Sequence, residues 1–318
     1  MPTDALDPAA IDAAVSHAYS LHRHNSEGHN ADYIPALADV DSGLFALCAM
    51  TPDGHSFSIG DVDHEFPIES VSKVFTLALV IEQLGPEAVR AKVGANATGA
   101  SFDSVLALER HHDKPRSPLV NAGAMATTGL VRAIDASDRW RKILDMQSAF
   151  AGRPLSLCEE INASEQATNA HNKAIAWLMY SAGTLSIDPM EACAVYTQQC
   201  STTVNIADLA TMGATLASGG VNPRTGARVV AAAHVPYLLA EMVMEGMYTQ
   251  SGDWAYTAGV PAKSGVAGAV LAVVPGRLAV AGFSPRLNAS GNSVRGWHAV
   301  SDVVNQLNLG LFGNPNGR

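Results

Sequence analysis

Ser70 and Lys73 stand three residues apart at the head of the apolar run Val74 to Leu84. The run predicts a buried helix closed by Gly85-Pro86. Residues three apart share a helix face, so hydroxyl and amine lie one above the other. A serine hydroxyl alone is a weak nucleophile. It needs a base for its proton and donors for the oxyanion that forms on the attacked carbonyl. A lysine sunk in an apolar helix can be that base, because burial disfavours its charged form. The Ser70 amide N–H, at a helix start, is free to be one oxyanion donor. Ser72 adjoins Lys73 but points about 100° away around a helix, which singles out Ser70. The pair is equally compatible with a serine cap and a snorkelling lysine, so its meaning depends on partners elsewhere.

Lys263-Ser264-Gly265 is such a partner. Ser-x-x-Lys on a helix and Lys-Thr-Gly, here in a conservative form, are two of the three elements of penicillin-recognising serine enzymes. The amide N–H after the glycine, at Val266, is a second oxyanion donor. The middle element, Ser-Asp-Asn, does not occur. Ser290-Gly291-Asn292 has its form but follows Lys263 instead of preceding it. Glu165-x-x-x-Asn169 imitates the deacylation loop of class A β-lactamases and is read as a decoy. His111-His112-Asp113 is read as a surface loop, since adjacent histidines on a loop diverge. No phosphate loop, Rossmann glycine pattern or zinc spacing is present, so no cofactor or metal is expected.

These residues need elements to hold them. An amphipathic helix is predicted over Ala9 to His24, with Ile11, Val15, Ala18 and Leu21 on its apolar face. Pro35 predicts a loop or extended segment carrying Tyr33. Residues 43–50 and 55–60 flank Asp53-Gly54 and predict a hairpin. From about 70 to 250 the periodicity is helical: 102–108, 125–134, 140–149, 167–180, 188–200 and 206–217. Strands return at 258–266, 269–274 and 278–283, the last two around Pro275-Gly276-Arg277, and 294–311 predicts a final helix. The expectation is an α+β fold. One antiparallel sheet is built from both termini and flanked by helices, with a central helical lobe. We expect a single domain over 1–318, with a sheet lobe of about 1–65 plus 250–318, a helical lobe of about 66–249, and a site in their cleft.

Composition narrows the functions. The chain has 318 residues, 47% hydrophobic and 16% charged, with net charge −10 and no Lys/Arg run. A nucleic-acid partner is not expected, since phosphate binding needs a basic face. No stretch has the length of a membrane span. Residues 1–7 show no basic and apolar leader, so a cytoplasmic location is expected. Cys48, Cys158, Cys193 and Cys200 form no metal spacing and are expected to be free thiols.

Several ordered blocks resemble the bacterial serine-dependent glutaminases, which share the β-lactamase/DD-peptidase-like fold. They are Ala31-Asp32-Tyr33-Ile34-Pro35, Ser70 to Phe75, and Lys114 to Ala124. Further on come Ser164-Glu165-Gln166 with Asn172, and Tyr196 ahead of Gln199-Cys200-Ser201. Met247-Tyr248, Gly259 to Gly268 and Gly291 to Val294 complete the set, and the resemblance runs from about residue 10 to 310. Ser117 departs from the family's usual Asn and is expected to affect loop bonding.

The resemblance implies hydrolysis of L-glutamine to L-glutamate and ammonia through a seryl acyl-enzyme. Ser70 would attack the side-chain amide carbon and Lys73 would take its proton. The N–H groups of Ser70 and Val266 would hold the oxyanion. Tyr33 and Tyr248 would relay protons or orient Lys73, with Lys263 in support. Glutamine is a zwitterion, and Glu165 suits its α-ammonium. Asn121 and Asn172 would bond its carboxylate and side chain, and Tyr196 would line the pocket. The family also implies a homodimer or homotetramer. A β-lactam or peptide hydrolase of the same fold, and a non-catalytic glutamine-binding protein, are the alternatives.

Overall fold

The computed structural model describes residues 6–313. The start of the leader reading, at residues 1–5, and the two ends of the 1–318 span lie outside the described residues. The main sheet has five antiparallel strands in the spatial order Ser56–Gly60, Ala46–Met50, Leu278–Phe283, Ala269–Val274, Ala262–Gly265. Strands from the two ends of the chain meet at its centre, where Cys48 pairs with Ala281. The α+β reading with a terminus-built sheet therefore holds.

The central strands are apolar without alternation because both faces are covered. Leu47, Ala49, Val270, Ala272 and Val280 pack toward the helices Pro8–His22 and Val294–Gln306. Their neighbours in sequence, Cys48, Leu271, Val273, Ala279 and Ala281, pack toward the helix Ile206–Ala217 and the helix Ser72–Leu84. The two-residue period of a strand thus divides one run of sequence between two cores.

Several elements differ from expectation. The stretch 167–180 is two helices, Glu159–Thr168 and Ala170–Ser181, broken at Asn169. The final helix stops at Gln306. Pro35 opens a short helix, Pro35–Ala38, where its fixed φ and missing N–H cost nothing. The helix Pro86–Val93 buries only Val89 and Val93, so it has almost no apolar period to read. A second sheet of three strands, Phe66–Pro67, Thr202–Val204 and Ser156–Leu157, is too short to show a period. It matters here, because the Ile68 N–H donates to Thr202 O at 2.9 Å and fixes the chain just before Ser70. Among the described residues no helix is long and apolar enough to cross a membrane. The four cysteines are free.

Candidate active site

Ser70 does not lie in the first turn of the helix. It sits in a single 3-10 turn, Glu69–Val71, immediately before the helix Ser72–Leu84. Glu69 has φ 51°, a left-handed conformation that only a few per cent of non-glycine residues adopt. The predicted shared face survives, and Lys73 Nζ donates to Ser70 Oγ at 2.9 Å. Lys73 is 1% exposed, and burial lowers its pKa to about 8.

The other Lys73 contact is with Asn121, the first residue of the helix Asn121–Leu130. Its Oδ1 accepts from Lys73 Nζ at 2.8 Å and from the Tyr196 hydroxyl at 3.0 Å. Two donors converging on one oxygen fix the amide's orientation, and its Nδ2 donates to Asn172 Oδ1 at 3.0 Å. Tyr196 comes from the helix Pro189–Cys200 and Asn172 from the helix Ala170–Ser181. Asn121 N also donates to Phe102 O at 2.8 Å, which holds the Phe102 ring beside Tyr248.

The expected contacts of the two tyrosines with Lys73 are not made. Tyr248, at φ 56° in the turn Tyr248–Gln250, donates to Ser264 O at 3.2 Å, with its hydroxyl close to Ser70. Burial holds its phenol well above the usual range. Tyr33 stands 54% exposed at the mouth and makes no side-chain hydrogen bond among the described residues. The side chains hydrogen-bonded to Lys73 Nζ are Ser70 and Asn121.

Lys263 lies on the edge strand Ala262–Gly265, as expected, but makes no hydrogen bond to Ser70. Its Nζ donates to Ser264 O at 2.6 Å and sits 4.2 Å from the centre of the Tyr248 ring. Burial lowers its pKa far below the ordinary lysine value, and the charge of Lys73 adds to the effect. The strand passes so close to the Ser70 turn that a Cβ on Gly265 would stand 3.0 Å from Ile68 O and 3.2 Å from Glu69 Cβ. That approach brings Val266 to the pocket wall beside Ser70. Among the described residues neither the Ser70 nor the Val266 amide N–H makes a hydrogen bond, so both are free for an oxyanion.

Glu165, on the helix Glu159–Thr168, accepts from Ser201 Oγ at 3.4 Å and is hydrogen-bonded to Glu69. Sequence reading missed Glu69. The signal available was a carboxyl set directly before the serine in the otherwise uncharged stretch Phe66 to Ser72. Burial raises both carboxyls, Glu165 to about 7 and Glu69 well above its ordinary value. The two carboxyls also act on one another, and the proximity of Glu165 raises Glu69 further.

These side chains enclose a pocket of about 90 Å³ lined by Glu69, Ser70, Asn121, Glu165, Asn172, Tyr196 and Val266. Tyr33 and Phe102 separate it from an outer cleft of about 790 Å³. The set holds a nucleophile, a base, free amide donors and carboxyls suited to a cation. That is equipment for acyl transfer on a small zwitterion.

The remaining motifs make other contacts. Asn169 bonds Gln166, Cys193 and Thr197 and does not pair with Glu165. Asn292, set aside on motif order, accepts from Ser264 Oγ at 2.6 Å and donates to Met247 O at 3.2 Å. It ties the Lys263 strand to the Tyr248 turn. Ser117 Oγ accepts from Leu119 N at 3.1 Å and donates to Glu241 at 3.5 Å, a loop role as expected. His112 and Asp113 form a left-handed turn, and no metal-binding group occurs among the described residues.

The sequence profile of the family described as Glutaminase matches residues 28–312. The Glutaminase of Mycobacterium marinum (strain ATCC BAA-535 / M) is 59% identical over 315 residues, covering 99% of this chain and 98% of that protein. The solved structure of the probable glutaminase ybaS superposes with TM-score 0.95 at 55% identity, covering 96% and 99% of the two chains. That of Mglu in its tris and glutamate form gives TM-score 0.88 at 36% identity, over 98% of this chain and 68% of that one. The fold is the β-lactamase-like one of these neighbours.

Proposed function

The chain belongs to the glutaminase family and hydrolyses L-glutamine to L-glutamate and ammonia, and from that premise we propose a seryl acyl-enzyme mechanism for it. The observation that carries it is the Lys73 Nζ to Ser70 Oγ contact of 2.9 Å in a buried site. Neutral Lys73 takes the hydroxyl proton as Ser70 Oγ attacks the side-chain amide carbon. The Ser70 and Val266 N–H groups hold the oxyanion. Lys73 returns the proton to the amide nitrogen, the carbon–nitrogen bond breaks and ammonia leaves. Water, deprotonated by Lys73, then cleaves the γ-glutamyl ester and frees Ser70. Tyr248, bonded to Ser264 O and close to Ser70, is available to relay a proton.

Glu165 receives the α-ammonium group of glutamine, and Asn121, Asn172 and Tyr196 complete the pocket. The glutamate form of the neighbour Mglu supports an amino-acid ligand here. We further read residues 1–318 as one catalytic domain working in the cytoplasm as a homodimer or homotetramer. Family membership and the exposed edge-to-face pair Trp177 and Tyr180 favour assembly.

The test is ammonia release from glutamine by the native protein, Ser70→Ala and Lys73→Met. Each variant is expected to lose at least ~10³-fold in kcat. Native-like release from Ser70→Ala would refute the mechanism. Glutamine binding without release by the native protein would refute the activity.

A further inference from the structure

Glu69 contributes an atom that the reading above does not use. The residue is 3% exposed, stands beside the nucleophile and faces the pocket. Its Oε1 is buried and has no hydrogen-bond partner. An unpaired buried acceptor is destabilising, a cost that a ligand donor in the pocket removes. The left-handed backbone at Glu69 adds strain of the kind retained at functional sites. The charged or titratable groups facing this carboxyl are Tyr33, Lys73, Glu165, Tyr196, Cys200 and Tyr248. Among them only Lys73 can carry a positive charge, and its Nζ is directed to Ser70 and Asn121. No other side chain lining the pocket therefore neutralises a second carboxylate beside Glu165.

We propose that Glu69 works as a neutral carboxylic acid that positions the α-ammonium of the substrate, its hydroxyl donating to Glu165 and its Oε1 accepting an ammonium N–H. This rests on the reading of Glu165 as the ammonium partner. An ammonium has three N–H donors, and one carboxylate does not satisfy them all. The acid and the carboxylate together supply acceptors on two sides while carrying a single negative charge, which one ammonium neutralises. The pair makes the pocket selective for a free α-amino group. A ligand lacking it leaves Glu165 and Oε1 unpaired.

The probes are L-glutamate and glutarate, which differ only in the amino group, used as competitive inhibitors of ammonia release. In Glu69→Gln the amide reproduces both the donor and the acceptor. It is expected to keep the inhibition constants of both probes within about fivefold, with their pH dependence between 5 and 8 unchanged. In Glu69→Met, which removes donor and acceptor at similar length, glutamate is expected to weaken by at least ~10-fold, while glutarate stays within about twofold. Equal weakening of both probes in Glu69→Met overturns the proposal, as does an unweakened glutamate. If that variant does not fold, Glu69→Gln decides alone. A loss of glutamate binding beyond about fivefold, or an altered pH dependence, means that an ionised Glu69 carries the binding. Failure of the acyl-enzyme reading would appear in the labelling of Ser70 and leave these inhibition constants untouched.

Discussion

Asn121 Oδ1 accepts hydrogen bonds from Lys73 Nζ at 2.8 Å and from the Tyr196 hydroxyl at 3.0 Å. One neutral acceptor thus aims the lysine at Ser70 without adding a charge that would keep it protonated. Asn121→Asp tests this. A carboxylate at that position favours the charged lysine and raises its pKa above the value of about 8 that burial sets. The rising limb of the pH profile of kcat should move to higher pH by about one unit or more, with activity near pH 7 falling at least tenfold. An unmoved limb would mean that Lys73 is not the group being titrated.

The carboxyl pair predicts an unusual pH dependence of stability. Glu165 is raised from 4.5 to about 7, so the folded protein binds more protons than the unfolded chain between those values. Stability of the ligand-free protein should fall as pH rises through that window, by on the order of 3 kcal/mol from this group. Glu165→Gln should remove that part of the slope and melt above the native protein at pH 8. Lys73 acts with the opposite sign. It is lowered from 10.5 to about 8, so its contribution should make stability climb again above pH 8. Melting curves from pH 5 to 9 on both proteins decide the matter.

Gly265 marks the closest approach of the edge strand to the Ser70 turn. Gly265→Ala introduces a Cβ to which the Ile68 carbonyl oxygen and the Glu69 side chain at Cβ must yield, at 3.0 and 3.2 Å. The strand then shifts by tenths of an ångström and carries the Val266 amide with it. We expect kcat to fall by roughly ten- to a hundredfold with KM changed less, since the oxyanion contact matters most in the transition state. Steady-state kinetics alongside a melting curve separates this from general destabilisation.

Asn292 joins the strand to the Tyr248 turn through Ser264 Oγ, Met247 O and Gln250 Oε1. Asn292→Ala leaves the buried Ser264 Oγ unpaired, while Met247 O keeps the Gln250 N–H and Gln250 Oε1 keeps Asn288 Nδ2, and should cost about 1–3 kcal/mol in a denaturant titration. Because Tyr248 contacts Ser70, kcat should also drop, and restoring the amide with Asn292→Gln should recover little. The longer side chain does not fit a fully buried position.

What the sequence revealed follows from what is local. Ser70 and Lys73 are related by one helical turn, and Lys263-Ser264-Gly265 by one strand, so both were readable from spacing. The terminus-built sheet was readable because Asp53-Gly54 and Pro275-Gly276-Arg277 mark hairpins at opposite ends of the chain. The link from Lys73 to Asn121 spans 48 residues and depends on how two helices pack. No period or motif encodes that packing. The same is true of Asn292, whose value lies in a bond to Ser264 across 28 residues. Glu69 was hidden for a different reason. Its importance comes from burial beside Glu165 and from a left-handed turn, and an acid next to a serine looks like any surface carboxylate until its surroundings are known.

The central claim is that the γ-glutamyl group passes through Ser70. The most direct measurement is acid quenching of the native protein during glutamine turnover, followed by peptide mass spectrometry. The mechanism predicts one glutamyl group on the peptide containing Ser70, absent from Ser70→Ala, which also releases no ammonia. A glutamyl group on any other residue, or full ammonia release by Ser70→Ala, would contradict it.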